Sequence, residues 1–173
     1  MDEVIVTTQA PKRKIDDVSP EWNRITESAI GAALEVHSHL GPGLLEKHYE
    51  RALVHELTTR GLNVRAQVPI RLTYKGADIG EQCLDLIIED LLVIELKSVD
   101  AVHDVHLAQL ISYLTASGKP LGLLINFNVA RLKDGLYRRV RSRNTPTPSA
   151  FLSADLPPRP SAPSPPLRDL PTS

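Results

Sequence analysis

The chain carries one cysteine, Cys83, in 173 residues, which excludes an internal disulfide framework and a zinc site built from cysteines. No apolar run approaches the roughly 20 residues that cross a bilayer. Charge of neither sign dominates: 20 Lys and Arg stand against 21 Asp and Glu, a net charge of −1. There is therefore no general electrostatic case for a polyanionic partner. The start, Met1-Asp2-Glu3-Val4, lacks the basic residues and apolar stretch of a secretory signal. No G-x-G-x-x-G or G-x4-G-K-[ST] run occurs, which argues against dinucleotide and P-loop chemistry. Ser98, Ser112 and Ser117 stand in no G-x-S-x-G context, so a hydrolase elbow is unsupported. These absences leave an expectation of a soluble, cytoplasmic, single-domain protein without membrane attachment.

Proline is present but unevenly placed: 9 of the 14 lie between Thr145 and Ser173. Such a segment lacks both backbone donors and apolar area, so residues 144–173 are expected to form a disordered, proline-rich tail. Residues 1–17 hold a short apolar patch and a Lys12-Arg13-Lys14 triplet without periodicity, and are expected to form a flexible arm. The working domain is then 18–143.

Its first element is well marked. Ser19-Pro20-Glu21 supplies an N-cap, a proline at the first helical position and an acid in the first turn. Trp22, Ile25, Ala29, Ala33, Val36 and Leu40 follow at spacings of 3, 4, 4, 3 and 4, one face of a helix that Gly41-Pro42-Gly43 ends. A second helix is expected from about Leu44 to Arg60, closed by Gly61. Extended segments follow at 64–67 and 68–74, with Pro69 suggesting an edge, then at 84–88 and 92–99. A helix is expected over 104–117, packed through Leu107, Leu110, Ile111 and Leu114 and ended by Gly118. A strand over 121–127, a short helix or turn at 129–135 and a last edge strand at 136–140 complete the order. This order predicts an α/β or α+β domain, a mixed sheet flanked by helices.

The chemistry-bearing anomaly is Val93-Ile94-Glu95-Leu96-Lys97-Ser98-Val99. In a strand, Glu95 and Lys97 point to the same side, and an acid and a lysine among buried aliphatics are costly unless paired or ligating. Asp85 is a similar intruder between Leu84 and Leu86. A three-residue loop at 89–91 pairs Ile88 with Leu92 and brings Asp85 opposite Glu95, whereas a two-residue loop would bring it opposite Ile94. Two carboxylates on one sheet face repel, and a divalent cation relieves the repulsion. Oxygen donors without a Cys/His cluster favour Mg²⁺ or Mn²⁺. The plainer alternative is a surface Glu95–Lys97 salt bridge with Asp85 as an ordinary acid near a turn.

Glu46 shares a face with Tyr49, Leu53 and Leu57 and is expected to lean inward, although an acid in a first helical turn is also stabilised by the macrodipole. His106, Gln109 and Tyr113 form a polar stripe that could touch the carboxylates or be solvated. His37, His39, His103 and His106 suit capping or packing better than metal binding, and Cys83 reads as a plain strand side chain. From Arg131 to Arg143 six basic residues, Arg138 and Arg139 among them, face only Asp134. That strip is either a solvated surface or a phosphate-contacting rim.

Taken in order, Gly43-Leu44-Leu45-Glu46-Lys47-His48-Tyr49 as G-x-x-E-x-x-Y, Asp85 followed by Glu95-Leu96-Lys97, the Gln109/Tyr113 helix and the 123–128 strand resemble the GxxExxY family of the PD-(D/E)XK nuclease superfamily. The resemblance spans about residues 20–140. It implies a restriction-endonuclease-like core and Mg²⁺-dependent (or Mn²⁺-dependent) phosphodiester hydrolysis of nucleic acid, DNA before RNA. Asp85, Glu95 and the Leu96 backbone carbonyl would hold the metal, Glu46 would add a carboxylate, and Lys97 would position or activate water. Gln109, Tyr113, Tyr49, Arg138 and Arg139 would line the site. Leu84 stands where the superfamily has a proline, and Cys83 near where a basic residue is expected. Small nucleases of this fold often act as homodimers, and the proline-rich tail is a candidate docking segment for a protein. The competing reading is a catalytically inactive module of the same fold, binding nucleic acid or protein through the arginine strip and the tail.

Overall fold

A computed structural model describes residues 19–141. The arm expected over 1–17 and the tail expected over 144–173 lie outside the described residues. Helix α1 (Pro20–Leu40) begins as the capping pattern dictates, with the Ser19 hydroxyl accepting the Glu21 amide, and ends at Gly41, whose φ is 64°. Helix α2 (Glu46–Thr59) starts two residues later than expected and is followed by Gly61 in the left-handed region. Next come β1 (Val64–Tyr74), β2 (Ala77–Ile88), β3 (Leu92–Lys97), α3 (Asp104–Ser117), β4 (Leu121–Asn126), a 3₁₀ turn at Leu132–Gly135 and β5 (Leu136–Val140). No helix among the described residues is long and apolar enough to cross a membrane.

The five strands lie in the order β1-β2-β3-β4-β5. Only β3 and β4 run parallel, joined through α3, and the other neighbours are antiparallel. This is the expected mixed sheet flanked by helices. Ala29, Ala33 and Val36 of α1 and Tyr49, Leu53 and Leu57 of α2 bury against Leu86, Ile88, Ile94, Leu96, Leu123 and Ile125. On the other side Leu110, Tyr113 and Leu114 of α3 cover Leu84, Ile87, Val93 and Leu124. Ile111 is 48% exposed rather than packed, because Tyr113 takes the inward position expected of it.

The largest departure from expectation is β2, which starts at Ala77 and not at Leu84. Residues 77–82 are all exposed, Ala77 and Ile79 included, so no buried face marks them. They are extended because Lys75 and Gly76, both at positive φ, form a two-residue turn that zips them onto β1. That pairing also joins the two extended segments at 64–67 and 68–74 into one strand. Pro69 is tolerated because β1 is an edge strand. At the other end, β3 stops at Lys97, two residues short of expectation.

Candidate functional site

The 89–91 loop has the three-residue length, since Ile88 pairs with Leu92, with Glu89 and Asp90 at positive φ. The β2–β3 ladder nevertheless ends at Leu86↔Ile94, one step before Asp85 would pair with Glu95. Leu86 and Ile88 pack towards α1 and α2 while Leu84 packs towards α3, so β2 turns over at Asp85. Gln67, the β1 residue level with this point, sits at φ 49°. The backbone amide of Leu96 thereby loses its β2 carbonyl and donates to Asp85 Oδ2 at 2.8 Å. The acid thus completes the interrupted ladder with its side chain.

Glu95 and Lys97 share the α3 side of β3, and Glu95 is 3% exposed, which rules out a surface salt bridge. Lys97 Nζ donates to Glu95 Oε1 at 2.7 Å. Glu95 Oε2 is buried and has no hydrogen-bond partner among the described residues. Burial pushes the Glu95 carboxyl up to about 7, helped by the charge of Asp85 and opposed by Lys97. Asp85 is also raised by burial, against the Leu96 hydrogen bond and the Lys97 charge, while Glu50 and Glu46 add repulsion. For Lys97, burial pulls the ammonium down, but the hydrogen bond and charge of Glu95, with Glu46 and Asp85, outweigh it and hold it above its ordinary value.

Glu46 does not lean into the core as expected. It is exposed at the start of α2, and its Oε1 accepts the Ser98 amide at 3.0 Å, an orphan donor just past the end of β3. Among the described residues no three His, Cys, Asp or Glu side chains stand close enough together to hold a metal ion. The expected three-carboxylate gathering is therefore two acids, Asp85 and Glu95, with Glu46 fastened to the neighbouring backbone. Tyr49 does not line the site either. It is fully buried, stacked on Phe127 at 4.4 Å, with its hydroxyl donating to Gly41 O at 2.6 Å and accepting from Leu44 N at 3.1 Å.

Gln109 and Tyr113 do lie on the carboxylate side of the sheet. Gln109 Nε2 donates to the Tyr113 hydroxyl at 2.7 Å, which in turn donates to Gln82 Oε1 at 3.2 Å. Burial raises the Tyr113 phenol, and the Glu95 charge adds to the rise. Arg138 and Arg139 are elsewhere. Arg138 pairs with Leu123, on the α1 side, and both its terminal nitrogens donate to Asn23 Oδ1 at 3.0 Å. Arg139 lies level with Gly122, towards the start of β4, and donates to the Arg138 carbonyl. Arg131 pairs with Asp134 at 2.8 Å and Arg141 donates to Gly118 O. Strand alternation and these internal partners disperse the basic strip; Arg143 lies outside the described residues.

Of the histidines, His37 donates to Val129 O and His106 Nδ1 accepts the His103 amide, so both tie down backbone. Asn126, Ser98 and Glu50 are polar residues at the site beyond those the sequence predicts. Asn126 is 1% exposed, and its Oδ1 accepts from Val99 N and Asn128 N while its Nδ2 donates to Val99 O. It clamps the segment that follows Lys97. A polar residue ending the apolar run Leu121–Ile125 was the available signal.

The donor set suits a hard divalent cation. Two partly desolvated carboxylates repel each other, and a buried carboxylate oxygen has no donor among the described residues, a deficit that protein interiors rarely tolerate. No curated protein matches the chain. A family model of the PD-(D/E)XK nuclease superfamily matches residues 23–140, more than half of the chain, and the mixed sheet with its flanking helices agrees with the restriction-endonuclease-like fold. The chain belongs to the PD-(D/E)XK nuclease superfamily.

Proposed function

We propose that the chain is a nuclease of the GxxExxY type that hydrolyses phosphodiester bonds of nucleic acid, DNA before RNA, with Mg²⁺ or Mn²⁺. The observation that carries this reading is the Glu95 carboxylate, one oxygen on Lys97 and the other buried near Asp85 with no donor among the described residues. Asp85, Glu95 and the Leu96 carbonyl would hold the ion, while Glu46 holds the Ser98 amide at the end of β3. A bound divalent ion supplies Lewis-acid polarisation of a phosphoryl oxygen and a more acidic water.

The remaining work falls to the chain itself. Lys97 Nζ donates to Glu95 Oε1 at 2.7 Å, so its side chain is placed as a hydrogen-bond donor beside the carboxylates. It orients the attacking water or neutralises charge gathering on the phosphoryl oxygens. Glu95 Oε1 holds that ammonium in place. The Gln109–Tyr113–Gln82 chain ties α3 to β2 on the carboxylate side of the sheet. Asn126 and Glu46 keep the 98–99 backbone, and hence the end of β3, in register.

The test is hydrolysis of labelled DNA and RNA in Mg²⁺ or Mn²⁺ by the full chain, alongside Glu95→Ala and Lys97→Ala. Cleavage by the parent that both variants lose supports the reading. Cleavage no greater than in the variants rejects it.

A further inference from the structure

The Gly43–Ser98 corner carries a feature that neither packing nor capping accounts for. Leu45 is the N-cap residue of α2, at φ −71° and ψ 147°, and makes no side-chain cap bond. Leucine is among the poorest N-cap residues, since it cannot accept the free amides of the first turn. Burial does not compensate, because Leu45 is 64% exposed, with Leu44 beside it at 39%. Single exposed leucines are ordinary. This one breaks a local rule in the residue before Glu46, fastened to Ser98 at the end of the strand that carries Lys97, and such breaches mark function.

The position is also rigid. The Leu44 amide donates to the Tyr49 hydroxyl at 3.1 Å, and the Leu44 carbonyl accepts from Ser98 Oγ at 2.6 Å. Glu46, the next residue, accepts the Ser98 amide. The leucine pair is thereby held in fixed register with the end of β3, one residue from Lys97. An open depression of about 320 Å³ lies here, lined by Leu44, Leu45, Glu46, Lys47 and Ser98. Its chemistry is mixed: an apolar lip, an ammonium from Lys47 and the carboxylate of Glu46.

We propose that Leu45, backed by Leu44, is a substrate-positioning wedge that packs against the base or sugar of the nucleotide flanking the scissile phosphate. Apolar side chains of this kind enter between base steps and partly unstack them. The inference rests on the nuclease reading and adds to it the group that orients the strand. Lys47, on the same rim, meets the adjacent phosphate.

The test uses the full chain with Ca²⁺ in place of Mg²⁺, so that an oligonucleotide carrying 2-aminopurine binds without being cut. Leu45→Ser restores a good N-cap, so its melting temperature is expected to match or exceed the parent's. Its affinity for the oligonucleotide is expected to fall about tenfold to a hundredfold, the worth of one buried leucine, and the rise in 2-aminopurine fluorescence to disappear. Leu45→Met should keep both. Mn²⁺ uptake followed by calorimetry separates the two levels of the argument. If the parent takes up Mn²⁺ and binds the oligonucleotide, but Leu45→Ser binds it equally well with the same fluorescence, the wedge is wrong and the nuclease reading stands. If Leu45→Ser melts lower than the parent, the residue is structural and the wedge is again wrong. If the parent takes up no Mn²⁺ and neither binds nor cuts nucleic acid, the nuclease reading fails and takes the wedge with it.

Discussion

Lys97 Nζ lies 2.7 Å from Glu95 Oε1, while the second oxygen of the same carboxylate is buried and receives no donor among the described residues. One cation therefore satisfies half of a group that needs two. The other half is available to an ion, and Asp85 stands close enough to raise the cost of leaving it empty. This asymmetry, produced by an i, i+2 spacing on one strand, has measurable consequences.

Protons and metal compete for this site. With Glu95 raised to about 7 and Asp85 also raised, cation binding displaces protons near neutrality. Mn²⁺ affinity should therefore climb as pH rises through about 7, up to roughly tenfold per pH unit while Glu95 titrates. Calorimetry in buffers of different ionisation enthalpy measures both the affinity and the protons released. An affinity flat across that range contradicts the expectation.

Stability of the metal-free protein should run the other way. The folded-state pKa of Glu95 lies above its ordinary 4.5, so the folded chain binds more protons than the unfolded chain between about 4.5 and 7. Stability falls as pH rises through that window, by on the order of 3 kcal/mol for the full shift. Asp85 contributes with the same sign. Urea midpoints at a series of pH values check this. Glu95→Gln should flatten the slope, and Mn²⁺ should restore stability at the upper end.

Removing the Lys97 ammonium tests the pair directly. Lys97→Met leaves Glu95 buried with neither oxygen paired, so its carboxyl should titrate higher still and Mn²⁺ binding should begin at a higher pH than in the parent. Cleavage should be lost under all conditions. Recovery of the parental pH profile in this variant contradicts the assigned partnership.

Tyr49 supports the site from behind. Tyr49→Phe keeps the stacking on Phe127 but strips Gly41 O and Leu44 N of their partner, at a cost of about 1–2 kcal/mol by urea unfolding. Asn126→Ala removes three hydrogen bonds to the backbone of Val99 and Asn128 and should cost about 2–4 kcal/mol. Of the two, Asn126→Ala should lower cleavage more, because it frees the segment carrying Lys97. Equal losses of cleavage in the two variants contradict that ranking.

Elements whose signals are local are legible in the residues alone. Ser19-Pro20 and Gly41 bound α1, Gly118 ends α3, and the period-2 geometry of Glu95 and Lys97 puts an acid and a lysine on one face of β3. Each of these depends on neighbours within a turn or two of the chain, where capping, backbone handedness and strand alternation decide the outcome. The tertiary structure decided the rest. The exposed residues 77–82 are strand only because β1 lies beside them, and Asp85 caps Leu96 only because β2 turns over there. Glu46 reaches Ser98 across 52 residues, and Arg138 meets Asn23 across 115. A carboxylate or guanidinium takes whichever unsatisfied donor or acceptor folding brings within hydrogen-bond reach. That partner is set by long-range packing, which residue spacing along the chain does not encode.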